Sequence, residues 1–148
     1  MSKPVLFLRI ASALTLIHAV LHTIGGVFSD PDPGPGTVAY EAMKVNQFLL
    51  MGNMRSYWEF YRGMGLAVTI FLTTDAVLFW LVSSLAKRDA ARLRPILAAF
   101  AIAYLAMAVN SFKYFFILPV IVETVIAVLL VLAIITTNPQ AAATVAAD

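Results

Sequence analysis

Four apolar runs dominate the chain, Leu6 to Phe28, Gly63 to Leu85, Pro95 to Phe112 and Phe115 to Thr137. A membrane-spanning helix takes about 20 residues, so the pattern predicts four spans and leaves no room for a separate soluble domain. The first run is interrupted only by Arg9 and a few small or polar residues. It stops at Ser29-Asp30-Pro31-Asp32-Pro33-Gly34-Pro35-Gly36, which cannot continue a helix. Its length, its two histidines and its Asp-Pro end predict a retained span, since a cleavable signal peptide has an apolar region of about 7 to 15 residues followed by a small-x-small site. Ahead of the second run, Tyr57-Trp58-Glu59-Phe60-Tyr61-Arg62 has the composition of a membrane-interface anchor. Only Lys113 and Tyr114 separate the last two runs, which predicts a tight antiparallel hairpin with Pro119 in the first turn of the fourth helix. Between the first two runs, Tyr40, Met43, Phe48 and Met51 fall near a helical repeat and predict a short interfacial helix around Tyr40 to Met54. Asn138 to Asp148 is alanine-rich, has no anchoring pattern and reads as a flexible tail.

Composition sharpens this picture. Of 148 residues, 61% are hydrophobic and 12% charged, with mean hydropathy +0.90. A water-soluble domain carries about 25% charged residues, so that class is excluded. The net charge of +2 is small and scattered, which excludes a nucleic-acid partner needing a clustered basic face. With no cysteine, disulfides, thiolate metal sites and thiol redox chemistry are excluded as well. Lys3 and Arg9 flank the start of the first span, and Lys87, Arg88, Arg92 and Arg94 fill the loop between the second and third, so these ends are expected to face the cytoplasm. Lys44, Arg55, Arg62 and Lys113 on the opposite side are balanced by Asp30, Asp32, Glu41 and Glu59. The expected fold is therefore an all-α integral membrane four-helix bundle over residues 1–137. Both termini are expected to be cytoplasmic, with a long external loop between the first two helices, in a bacterial cytoplasmic membrane.

Titratable groups in hydrocarbon cost roughly 2.5 to 3.5 kcal/mol each on insertion scales, which makes His18, His22, Asp75 and Glu123 the candidates for function. At 1.5 Å per residue from the outer helix ends, they descend from about 7 Å for His22, through about 12 Å for Glu123 and about 13 Å for His18, to about 18 Å for Asp75. Arg55, Trp58, Glu59, Arg62, Asn110 and Lys113 lie near the outer rim above them. The series has the pattern of an outward-opening pocket. His18 and His22 are i,i+4 neighbours on a small, polar face of the first helix. They can act as hydrogen-bonding glue between helices, as ligand or proton handlers, or as metal ligands if Glu123 joins them at matching depth. Both lie on one face, which disfavours a bis-histidine haem, and no cofactor is named by these residues. Glu123 and His18 are the best-matched pair in depth. On the second span, Arg62, Thr69, Thr73 and Trp80 share a stripe, while Asp75 points about 140° away from Arg62 and can face an adjacent groove or a second protomer. Arg55, Glu59 and Arg62 share one helical face if that helix begins early, forming an ion-paired rim. Ala99, Ala103 and Ala106 of the third span read as a close-packing surface.

With His18-x-x-x-His22 near the end of the first span and Met51-Gly52-Asn53-Met54-Arg55-Ser56-Tyr57-Trp58-Glu59-Phe60-Tyr61-Arg62-Gly63-Met64-Gly65-Leu66 leading into the second, nearly the whole chain resembles small bacterial four-span proteins of unassigned function. More loosely, His18 in the first helix, Trp58-Glu59 at the second span and Asp75 within it resemble the sterol-isomerase and sigma-2-receptor superfamily. That resemblance implies binding of sterols or amphipathic amines in an acidic cavity inside the membrane.

The expected function is binding of a small lipophilic or amphipathic molecule in an outward-facing pocket lined by His18, His22, Asn110 and Glu123. Trp58 and Asp75 are expected to contribute, and Arg55, Glu59, Arg62 and Lys113 to form the rim. An enzyme would use His18 or His22 with Glu123 as acid and base for a proton shift on a lipid-like substrate. An ion or proton carrier and a structural membrane subunit are the further classes. The expected partners are membrane lipids, a small lipophilic ligand and a second copy of the chain.

Overall fold

The computed structural model describes residues 1–31 and 33–137. The expected tail at 138–148 lies outside the described residues. Helix α1 (Lys3–His22) runs on into a π-helical turn, Thr23–Val27, closed by the Phe28 amide donating to the Thr23 carbonyl. Helix α2 (Pro35–Val45) starts with proline in its first turn, preceded by Gly34 at φ 128°, a conformation open to glycine. Strands β1 (Gln47–Leu50) and β2 (Asn53–Ser56) pair antiparallel, with Leu49 opposite Met54. Helix α3 (Tyr57–Asp89) is followed by a 3₁₀ turn (Ala91–Leu93), then α4 (Arg94–Tyr114) and α5 (Ile117–Ile135).

Four of these helical segments, Lys3–Val27, Tyr57–Asp89, Ala91–Tyr114 and Ile117–Ile135, are long and apolar enough to cross a membrane. Their outward side chains are apolar too, Ile70, Phe71, Ile102, Phe112 and Ile135 among them, far beyond the exposed patches of a soluble protein. This is the surface of an integral membrane protein. Its helices differ from the predicted spans mainly at α3. Thirty-three residues make that helix about 50 Å long, against a hydrocarbon core of about 30 Å.

The interfacial helix expected over Tyr40–Met54 is corrected. Helix α2 ends at Val45, where Asn46 takes an extended conformation and its side-chain amide donates to the Ala42 carbonyl. Met51 and Gly52, at φ 48° and 85°, then form the two-residue turn that suits a β-hairpin. Phe48 packs its ring against Tyr57 and Phe60, 4.8 and 5.8 Å between centroids, so its apparent helical spacing belongs to a strand.

The described chain divides into two compact units, one formed by Met1–His18 with residues 72–137, the other by Ala19–Phe71. In the first unit, parts of α1 and α3 with all of α4 and α5 share one core. Its buried positions are spaced by alternating threes and fours: Val5, Leu8, Ser12, Thr15; Leu72, Ala76, Phe79, Ser83, Ala86; Leu97, Ala101, Tyr104, Ala108, Ser111; and Glu123, Ile126, Leu130, Ala133. This is the seam of coiled-coil-like packing. The small residues that admit close approach on α4 are Ala101 and Ala108; Ala99, Ala103 and Ala106 are exposed, which corrects the expected packing face. Arg94 grips the far end of α5 by donating to both the hydroxyl and the carbonyl of Thr137.

Candidate functional site

The core of the first unit carries acids that an apolar bundle has to accommodate. Glu123 sits in the second turn of α5, three residues past Val120, and is only 3% exposed. Ser111 on α4 donates to its Oε1 at 3.1 Å. Its Oε2 is buried with no hydrogen-bond partner among the described residues. Asp75, near the middle of α3, accepts a hydrogen bond from the Tyr104 hydroxyl at 3.2 Å. Tyr104 is almost wholly buried midway along α4, with the buried Thr15 hydroxyl of α1 beside it. Thr15 is itself satisfied by the Ala11 carbonyl, and Ser12 ties α1 to α3 through the Ala76 carbonyl at 2.7 Å.

Tyr104 and Ser111 are i,i+7 on the inward face of α4, so the two carboxyl groups meet one helix face about 10 Å apart along its axis. The result is a polar column inside an apolar core. It answers which groove Asp75 faces: the one toward α4. His18 belongs to this unit and is half-buried on α1. Asn110 and Lys113 are exposed, and Ser111, next along the chain, supplies the hydrogen bond to Glu123.

The remaining candidates lie in the second unit. His22 donates from Nε2 to the Gly65 carbonyl at 3.0 Å, so its proton on that nitrogen is committed to holding α1 against α3. Thr23 and Thr69 join hydroxyls alongside, 2.9 Å apart. The helices approach closely there: a Cβ on Gly65 would come within 3.0 Å of Val27. For His22 the geometry is that of interhelical glue.

The expected ion-paired rim is corrected. Arg55 lies on β2, before the helix starts, and its guanidinium donates to the Met54 carbonyl. Glu59 accepts from the Ser56 amide at 2.8 Å while the Glu59 amide donates to the Ser56 hydroxyl, a reciprocal capping box at the start of α3. Arg62 stacks over Phe28 at 4.6 Å. Trp58 sits edge-on to Tyr40 and stacked on Tyr61, with centroids 4.6 and 5.7 Å away. Lys44 lies over the Tyr40 ring and beside Glu41, and these neighbours, Tyr40 first, hold its ammonium above its ordinary pKa.

No protein-family model, no curated protein and no solved structure matches this chain. The resemblances drawn from His18, His22, Trp58, Glu59 and Asp75 therefore stand on those residues alone.

Among the described residues, no group of three or more His, Cys, Asp or Glu side chains could hold a metal ion. Reasoning from sequence missed Tyr104 and Ser111. The available signal was the three-four spacing Leu97-Ala101-Tyr104-Ala108-Ser111 combined with a tyrosine at mid-span, away from the interface where that residue usually sits. A buried tyrosine hydroxyl needs a partner, and Asp75 and Glu123 were the acids within the spans.

Proposed function

We propose that this protein binds a small lipophilic or amphipathic molecule inside the membrane, within the core of its first unit, with Glu123 meeting the polar end of the ligand. The carrying observation is the buried Oε2 of Glu123, which has no hydrogen-bond partner among the described residues. Leaving such a group unsatisfied costs about 1 to 3 kcal/mol, more if it is charged, and a ligand hydroxyl or amine would remove that cost by donating to it. The surrounding Ala108, Ile126 and Leu130 would cover the apolar body, and Asp75 with Tyr104 would offer a second polar contact deeper in the bundle.

The charge pattern supports a bacterial cytoplasmic membrane with both termini inside, because Lys3, Arg9, Lys87, Arg88, Arg92 and Arg94 gather at the ends that would face the cytoplasm. With that orientation Glu123 lies in the outer half of the bilayer. A second reading, an enzyme moving a proton on a lipid-like substrate, is favoured by the Tyr104–Asp75 hydrogen bond, which couples a donor to a carboxylate inside the same core.

Native mass spectrometry of the full chain from mild detergent, with extraction of whatever is retained, tests the binding reading. A stoichiometric small molecule is expected with the wild type and with Asn110→Ala, and is expected to be lost in Glu123→Gln. An empty wild type, or retention by Glu123→Gln, would overturn it.

A further inference from the structure

The end of the first unit that includes the N-terminus holds a second feature, independent of Glu123. Helices α1 and α3 run antiparallel there: Ser12 bonds the Ala76 carbonyl, and one turn earlier on α1 the Arg9 guanidinium lies over the Trp80 ring at 4.7 Å. Continuing that register brings Lys3 abreast of the Leu85–Lys87 turn. We infer that Arg9, Trp80 and Lys87 form a site for the phosphodiester headgroup of an anionic phospholipid.

Arg9 lies about 9 Å into α1, deep enough to meet a lipid headgroup from the hydrocarbon side. It is half-buried, and its Nε is buried with no hydrogen-bond partner among the described residues. The indole accepts the face of the guanidinium but leaves the in-plane Nε–H without a partner, and the edge of a guanidinium suits the paired oxygens of a phosphate. The described carboxylates of this unit are engaged elsewhere: Asp75 by Tyr104, Glu123 by Ser111 and Asp89 by Arg92. No described carboxylate of this unit is left to pair with Arg9, and an anion from outside it suits the position.

Trp80, Ser84 and Lys87 follow one another at i, i+4 and i+7, so they form a single exposed track from Arg9 to the end of α3. The track is flanked by outward Leu6, Ile10, Val77 and Leu81, an apolar surface that acyl chains cover and a free phosphate ion does not need. A zwitterionic headgroup would bring an ammonium toward Lys87, Arg88 and Lys3, with Asp89 already paired to Arg92; an anionic headgroup suits that collar.

The test uses the full chain in nanodiscs of phosphatidylcholine with a rising fraction of phosphatidylglycerol, followed by release into detergent and counting of retained lipid by native mass spectrometry. The wild type is expected to keep a phosphatidylglycerol molecule, and Lys87→Gln to weaken its retention about fivefold, the worth of one basic side chain near an anionic surface. Arg9→Gln is expected to lose at least as much and Arg9→Lys to keep part of it. Lys44→Gln, in the second unit and already paired with Glu41, is expected to change nothing. Equal retention of the two lipids, or unchanged retention in both Lys87→Gln and Arg9→Gln, would overturn the site. Displacement of the lipid by millimolar inorganic phosphate would overturn its assignment to a lipid headgroup. Lys87 is exposed, so its variant reads the site even where Arg9→Gln fails to fold.

Discussion

Glu123 and Tyr104 show how single residues set the chemistry of this core. Each carries a polar group into an apolar core that includes Leu8, Phe79, Leu97, Ile126 and Leu130, and each is joined to a partner on another helix. Hydrogen bonds between membrane helices contribute about 0.6 kcal/mol on average and up to about 1.7, because the separated helices also find partners in the bilayer. Tyr104→Phe is therefore expected to lower stability by about that amount while keeping the fold, measured by reversible unfolding in mixed micelles. A loss several times larger would mean that Tyr104 organises the whole column. At this scale the acids were legible from sequence and their partners were not. Asp75 and Glu123 stand out because acids are costly in hydrocarbon, whereas Ser111, Thr15 and Tyr104 are ordinary residues of a membrane span until a neighbour is placed beside them.

Among the elements, the segment from Gln47 to Glu59 carries the most local information. The hairpin turn puts Met51 at φ 48° and Gly52 at φ 85°, and the strand then hands over to α3 through the Ser56–Glu59 capping box. Gly52→Val places a branched side chain in left-handed backbone and is expected to cost about 1 to 2 kcal/mol locally. Ser56→Ala removes one half of the cap and is expected to cost about 1 kcal/mol. Hydrogen exchange by mass spectrometry checks both: faster exchange should be confined to peptides covering Gln47–Arg62 for either variant. Peptides from α4 and α5 should be unchanged. The capping box was present in the sequence as Ser-x-x-Glu before an apolar run. The reading of Arg55, Glu59 and Arg62 as one helical face required the helix to start earlier, and the cap sets its start at Tyr57.

For the whole molecule, the proposed topology gives a sharp prediction, helped by the absence of cysteine, since single-cysteine variants need no cleared background. In intact cells, Met51→Cys at the exposed hairpin tip is expected to react with a membrane-impermeant maleimide, and Ala90→Cys between α3 and the 3₁₀ turn only after the membrane is opened. The reverse result would invert the orientation inferred from Lys and Arg.

By itself the sequence determined that there are four long apolar helices, because a span needs only a local run of residues whose backbone groups are satisfied within one helix. The turn-rich stop after Phe28 and the short α4–α5 connection were legible for the same reason. Only the tertiary structure decided which face of each helix looks inward. In lipid the outer faces are as apolar as the inner ones, so hydropathy carries no amphipathic signal, and the inward seam is marked instead by small and polar residues such as Ala101, Ala108, Ser12 and Ser83. It also decided that Phe48 belongs to a strand, that Ser111 meets Glu123 and that Trp80 carries Arg9. Each of these is a meeting of residues from different segments, and periodicity along one segment does not encode a distance between two.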